Sequence, residues 1–307
     1  MKIRTNSGFT LVELLVAIAL GLVILAGLFQ TFRTQHDTYI VQDQVAAMQQ
    51  NLRAAMYLIT RDLQMAGWYS NFDRSNHSIV LNDADLGTAN GRPLLFSENN
   101  SPGTNGSINL GTDALVILKA AAGTGGTISG GATAVGSSID NAILALSGLD
   151  AANNKYGLLV KSDLRNADFF DVNSPSLSDN YLSGDLVFRA DIIIYKVNND
   201  AAGRPTLFRR NLGNDNGYQP VAENIDNMQV SYQLNDGAWV NTLTPANQAR
   251  VRAVEVTLVG RTAHPQRMYT DTNTYNFSND PAANYTPNDA FRRKALSTTI
   301  KTRNVGL

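Results

Sequence analysis

The 307-residue chain contains no cysteine, which excludes a disulfide framework, a thiolate metal site and a cysteine nucleophile. Charge is sparse and balanced. Only 17% of residues are charged, with 25 Lys and Arg against 26 Asp and Glu. The basic residues are scattered apart from Arg209–Arg210 and Arg292–Arg293–Lys294, so no electrostatic footprint for a nucleic-acid backbone is visible. The three histidines, His36, His77 and His264, lie far apart without metal-type neighbours at helical or hairpin spacing. No G-x-S-x-G elbow or P-loop occurs, and the Gly-rich stretch 123–131 lacks the lysine that would hold phosphates. The expectation is a protein that is not an enzyme, with no cofactor, no metal and no nucleic-acid partner.

What is present is an apolar share of 43% together with abundant Gly, Asn, Ser and Thr, as in loop-rich β proteins. The length allows one large or two ordinary domains. Lys2 and Arg4 precede a run over 9–29 that is apolar except for Thr10, Glu13 and small residues. About 20 such residues just cross a bilayer, and the preceding basic residues hold the N-terminus in the cytoplasm. An ordinary secretory signal would place small residues after the run, yet Phe29, Gln30, Thr31 and Phe32 stand there. The run is therefore expected to be retained.

Gly8-Phe9-Thr10-Leu11-Val12-Glu13 follows directly on this short basic leader and resembles the prepilin signature of type IV pilin-like proteins. The resemblance implies cleavage by a membrane-embedded prepilin peptidase between Gly8 and Phe9, followed by N-methylation of Phe9. A residue without Cβ lets a protease approach the backbone closely. Glu13 is costly in a membrane helix, by roughly 2.5–3.5 kcal/mol at the centre and less near the interface, so it calls for a partner. In pilin-like proteins that partner is the α-amine freed by cleavage, here that of Phe9, on the same chain or its neighbour. The charge pair of Glu13 with Phe9 would set the axial register of assembly.

From residue 30 the chain is polar but helix-like, without Pro or Gly until Gly67, where a C-terminal cap is expected. Val41, Val45, Met48, Leu52, Ala55, Ile59 and Leu63 recur at spacings of three and four, one face of an amphipathic helix expected to pack on the head. Arg61 and Asp62 read as a solvated helix face with ordinary ion pairs. The stretch 51–68 resembles PilW-type minor pilins and, similarly, J-type pseudopilins of type II secretion. The resemblance is sharp over 1–68 and one of pattern beyond, chiefly in 190–210, 223–234 and 292–299.

Downstream, strands are expected at 78–81, 114–119, 143–146, 157–160, 186–188, 190–197, 206–210, 221–225, 228–234, 251–259 and 297–301, the last as an edge strand. The stretch 121–138 reads as an exposed loop. A change of phase after Ala253 suggests a bulge or a short strand break in 251–259. The order of one long helix and then antiparallel strands makes the fold α+β, and the resemblance makes it type IV pilin-like. The expected division is a cytoplasmic leader at 1–8, a helix at 9–66 with its transmembrane part at 9–29, and a β-rich head at 67–307. Asp83 with Asp85, and Asp215, do not fit a dedicated calcium loop. The aromatic-bearing segment 267–289, with Tyr269, Tyr275, Phe277 and Tyr285, reads as a loop tucked onto the sheet, with a contact loop as the alternative.

The resemblance implies a minor pilin that primes or enters a type IV pilus. Its partners would be the prepilin peptidase, other minor pilins, the major pilin, an inner-membrane assembly platform and, before assembly, the lipid bilayer. It would sit in the inner membrane with a single pass and a periplasmic head, then on the cell surface. A type II secretion pseudopilin and a tip adhesin are the alternatives.

Overall fold

The computed structural model describes residues 10–66, 79–83, 87–92, 95–98, 111–121, 124–164, 166–214, 217–243, 247, 250–277 and 283–302. The chain divides into two units, 1–47 and 48–307. One helix, α1 (Leu11–Gln64), supplies most of the first and opens the second. Its start is a capping box: the Thr10 hydroxyl accepts the Glu13 N–H at 3.2 Å, and the Glu13 carboxylate accepts the Thr10 N–H at 3.1 Å and its hydroxyl at 3.2 Å. Beyond Gln64 two tight bonds, from Met65 N–H to the Asp62 carbonyl and from Ala66 N–H to that of Leu63, close the last turn. Gly67 lies outside the described residues.

In the first unit the helix buries no side chain, whereas from Met48 onward Met48, Leu52, Ala55, Met56, Ile59, Asp62 and Leu63 are buried. The second unit is built on antiparallel sheets. The larger has its main path in the order β12 (Gln219–Glu223), β11 (Pro205–Asn211), β10 (Leu186–Asn199), β4 (Ala114–Ala120), β3 (Leu95–Glu98). The fourteen residues of β10 serve two sets of neighbours. Its first half pairs with β5 (Gly126–Thr127) and β8 (Tyr156–Val160), which in turn pairs with β9 (Ala167–Asp171); its second half pairs with β4 and β11. The expected break at Arg189 is absent, and 186–197 runs on as one strand to Asn199.

The smaller sheet is β14 (Trp239–Val240), β13 (Ile225–Leu234), β15 (Val251–Arg261), β16 (Arg293–Lys301). Asn224 joins β12 to β13 with φ 59, and its carbonyl accepts the Arg261 N–H at 2.9 Å, so the chain passes from one sheet to the other at a single left-handed residue. Asp113 ties the sheets from the other side. Its N–H donates to the Met228 carbonyl, and its carboxylate accepts the Val230 N–H at 2.7 Å. Two short hairpins, β1 (Ile79–Asp83) with β2 (Gly87–Arg92) and β6 (Ala134–Val135) with β7 (Ser138–Ile139), complete the β-structure among the described residues.

Three local expectations are corrected. Residues 143–146 are not a strand but part of helix α2 (Asn141–Ser147), which ends on Gly148 at φ 65 with its N–H returned to the Ala145 carbonyl. Burial of Ile143 and Ser147, four apart, shows the helical period that the run Ile-Leu-Ala-Leu masks. The stretch 121–138 is not simply an exposed loop: Ile128 and Ala134 are fully buried in a satellite core with Leu159, Phe170, Tyr181 and Val187. The bulge in β15 lies earlier than the phase change, since Leu234 pairs with Val251 and Gln233 with Ala253, leaving Arg252 as the extra residue.

Candidate functional site

The first candidate region is the apolar start of α1. From Leu11 to Phe32 its large apolar side chains are exposed, Leu11 at 78% and Phe29 at 70%. The most apolar window has a mean hydropathy of 2.7 and no buried residue, long and apolar enough to cross a membrane. Gly8 and Phe9 lie outside the described residues. Glu13 is exposed and held by Thr10 in the capping box. The carboxylate therefore finds a partner within its own first turn, where it also complements the positive end of the helix dipole. The T-x-x-E spacing of this capping box is visible in the sequence at Thr10 and Glu13.

The second region is where the later part of α1 meets the sheets of its own unit. Of the seven stripe residues, Met48, Leu52, Ala55, Ile59 and Leu63 are buried, while Val41 and Val45 are only half-buried. Strand alternation puts Leu115, Ile117 and Lys119 of β4 on one face with Ile193, Tyr195 and Val197 of β10 and Leu207 and Arg209 of β11. The opposite face, carrying Val116, Leu118, Ile192 and Ile194, packs against Tyr156, Leu158 and Val160. On the smaller sheet, Gly260 of β15 makes the close approach possible: a Cβ there would stand 2.8 Å from the Leu52 Cγ. Asn51 Nδ2 adds a bond to the Glu223 carbonyl at 3.1 Å.

At the end of the helix the expectation of a solvated charged face fails for Asp62, which is fully buried. Its Oδ1 accepts Lys119 Nζ at 2.6 Å, and its Oδ2 accepts the Tyr195 hydroxyl at 2.7 Å and Arg209 Nε at 3.0 Å. Arg209 Nε also reaches the Tyr195 hydroxyl at 3.2 Å. Burial alone would raise the Asp62 pKa, but the Lys119 and Tyr195 hydrogen bonds and the two cationic charges outweigh it and hold the carboxyl below its ordinary value of 3.8. Burial and then the Asp62 charge push the Tyr195 hydroxyl up. Arg61 alone behaves as read: it is exposed, and its guanidinium stands 4.0 Å from Asp62.

A second polar cluster organises the aromatic loop. Arg293 at the start of β16 is nearly fully buried and bonds Asp226 at 2.6 Å and both carboxylate oxygens of Asp289 at 2.6 Å. Tyr285 donates to Asp226 at 2.7 Å and Tyr275 to Asp271 at 2.9 Å, while Phe277 and Ala283 pack on Val259. The loop is thus tucked onto the sheet. Among the described residues no group of His, Asp or Glu could hold a metal ion. His36 and His264 are exposed, and His77, Asp85 and Asp215 lie outside the described residues.

Comparison with known proteins bears on both ends of the chain. The family model for Type IV Pilus-assembly protein W matches residues 194–304, and that for the prokaryotic N-terminal methylation motif matches residues 3–29. No curated protein matches. Among solved structures, a type IV-like pilin from Thermus thermophilus is 13% identical, over 83% of this chain and 97% of its own, with a TM-score of 0.38. The methylation motif falls on the exposed apolar start of α1, and the W-protein match takes in Tyr195, Arg209, Gly260 and Arg293. Over 3–29 this chain is thus similar to proteins with the prokaryotic N-terminal methylation motif, and over 194–304 to Type IV Pilus-assembly protein W.

Proposed function

We propose that the chain is a minor pilin, cut between Gly8 and Phe9, methylated on Phe9, and then assembled into or priming a type IV pilus. The observation that carries this reading is an apolar helix that no described part of its own chain covers, with Glu13 in its first turn and inside the methylation motif. Such a helix needs an apolar surrounding, first the lipid bilayer and then the packed helices of other pilins. Cleavage frees an amine four residues before Glu13. Glu13 exchanges its bonds with Thr10 for this cation, on its own chain or on the neighbour, and so links processing to axial register. The head is then periplasmic before assembly and carried on the filament afterwards, as a structural subunit and not a catalyst.

Mass spectrometry of the N-terminus in membrane and filament fractions tests this, for the natural chain and for Glu13→Ala. The natural chain is expected to begin at methylated Phe9 in both fractions. Glu13→Ala should begin at Phe9 in the membrane yet be depleted from filaments. An intact Met1, a start beyond Phe29, or normal incorporation of Glu13→Ala would overturn the mechanism. Recovery only with a secretion apparatus would favour the pseudopilin reading.

A further inference from the structure

The smaller sheet ends on β16, nine residues that pair with β15 without a register shift from Arg261↔Arg293 to Ala253↔Lys301. Two bonds set the direction of its backbone groups. The Thr262 N–H donates to the Arg292 carbonyl at 2.9 Å, and the Thr302 N–H to the Arg252 carbonyl at 3.2 Å. Bonded positions alternate along an antiparallel pair. Lys294, Leu296, Thr298 and Ile300 therefore turn their N–H and carbonyl groups to β15, and those of Ala295, Ser297, Thr299 and Lys301 point away from the sheet. Among the described residues no strand pairs with that outer side. Ala295, Ser297, Thr299 and Lys301 are all exposed.

Open edges are ordinarily blunted by shortness, proline, bulges or charged side chains, lysine above all, set along the strand. The other strands that end the two main sheet paths follow this rule: β12 carries Pro220 and an irregular register, β14 has two residues and β3 four. β16 has no proline, glycine or bulge, and its centre, Ala295-Leu296-Ser297-Thr298-Thr299-Ile300, is uncharged. Its exposed charges, Lys294 and Lys301, stand at the two ends and are both positive. Pairing with a second copy about Ser297 would gather the exposed Lys294 of one chain and Lys301 of the other at each end with no carboxylate from either strand, and like charges brought together across strands are unfavourable.

We propose that the outer edge of β16 accepts an extended strand from a different protein chain, one with carboxylates flanking an uncharged, alternating centre. The backbone groups of Ala295, Ser297 and Thr299 hold the strand, and Lys294 and Lys301 select its acidic ends. This reading does not depend on α1 or on filament assembly.

The test is binding of two fluorescent peptides, of alternating valine and threonine and the length of 294–301, to the full chain in detergent. Both are seated opposite 294–301 rather than the whole strand, so that their ends face Lys294 and Lys301; one carries aspartate at both of those positions and the other lysine. The aspartate peptide is expected to bind tighter by about tenfold, because two cross-strand charge pairs change sign. Ala295→Pro with Thr299→Pro removes two outward donors while sparing the ladder to β15, and should abolish binding with the circular dichroism unchanged. Lys294→Glu with Lys301→Glu leaves the backbone intact and should reverse the preference, so it decides the matter if the proline variant does not fold. No binding, equal binding of both peptides, or a preference that survives charge reversal would overturn the proposal. Self-association of the full chain through this edge, lost in the proline variant, would give the edge to a second copy and equally overturn it.

Discussion

Asp62 is the residue on which the attachment of the helix to its sheet turns. Three neighbouring strands each send it a donor, Lys119, Tyr195 and Arg209. A carboxylate without water is tolerable only when so surrounded, and taking one charge from such a group strands the others. Asp62→Asn leaves Lys119 buried and unpaired, and is expected to lower the unfolding free energy by roughly 3–5 kcal/mol in urea denaturation. Adding Lys119→Met should recover part of that loss. The acid limb carries the same signature. Because the folded carboxyl titrates below its ordinary 3.8, its contribution is complete above the unfolded value and is lost as pH falls through the folded one. Urea midpoints measured from neutral pH downward should fall more steeply below about pH 4 for the natural chain than for Asp62→Asn. Depressed carboxyls at Asp185 and Asp289 keep the variant's profile from being flat.

Among the elements, α1 and β15 are fitted to each other at Gly260. Leu52 is itself buried, so it has no room to retreat from a new methyl group. Gly260→Ala should cost about 1–3 kcal/mol by overpacking, and Leu52→Ala in the same chain should relieve the clash, giving a favourable coupling in a double-mutant cycle. A loss from Gly260→Ala unchanged by Leu52→Ala would mean that the helix does not press on this strand. Elements differ in how plainly they can be read in advance. β13 announces itself because Met228, Val230, Tyr232 and Leu234 keep the period of a strand with one face inward. α2 does not, because seven residues with an apolar centre fit either period and only Gly148, turning left-handed, marks a helix end. The small strands within 121–138 are still less legible, since Gly, Ala, Thr and Ser show no pattern until Ile128 and Ala134 find the satellite core.

For the whole molecule, the two units differ in what they need from their surroundings. Unit 48–307 contains every buried side chain of α1, and unit 1–47 contains exposed apolar helix. A chain beginning at Gln30 should therefore leave the membrane fraction and stay soluble without detergent. Its urea midpoint should match that of the full chain, since none of the described side chains removed is buried. A lowered midpoint would show that the first unit stabilises the second.

The membrane-type helix, the stripe from Met48 to Leu63 and the alternating strands were determined by the sequence itself, because each rests on a period that repeats within a few residues. The methylation motif matched over 3–29 is equally local. Only the tertiary structure decided that Asp62 is a buried anchor and not a surface charge. Its partners lie 57, 133 and 147 positions away, and nothing near it in the chain records their approach. The glycine required at position 260 and the open edge of β16 are decided in the same way, since each depends on which segment of a folded chain comes to lie beside it, or does not.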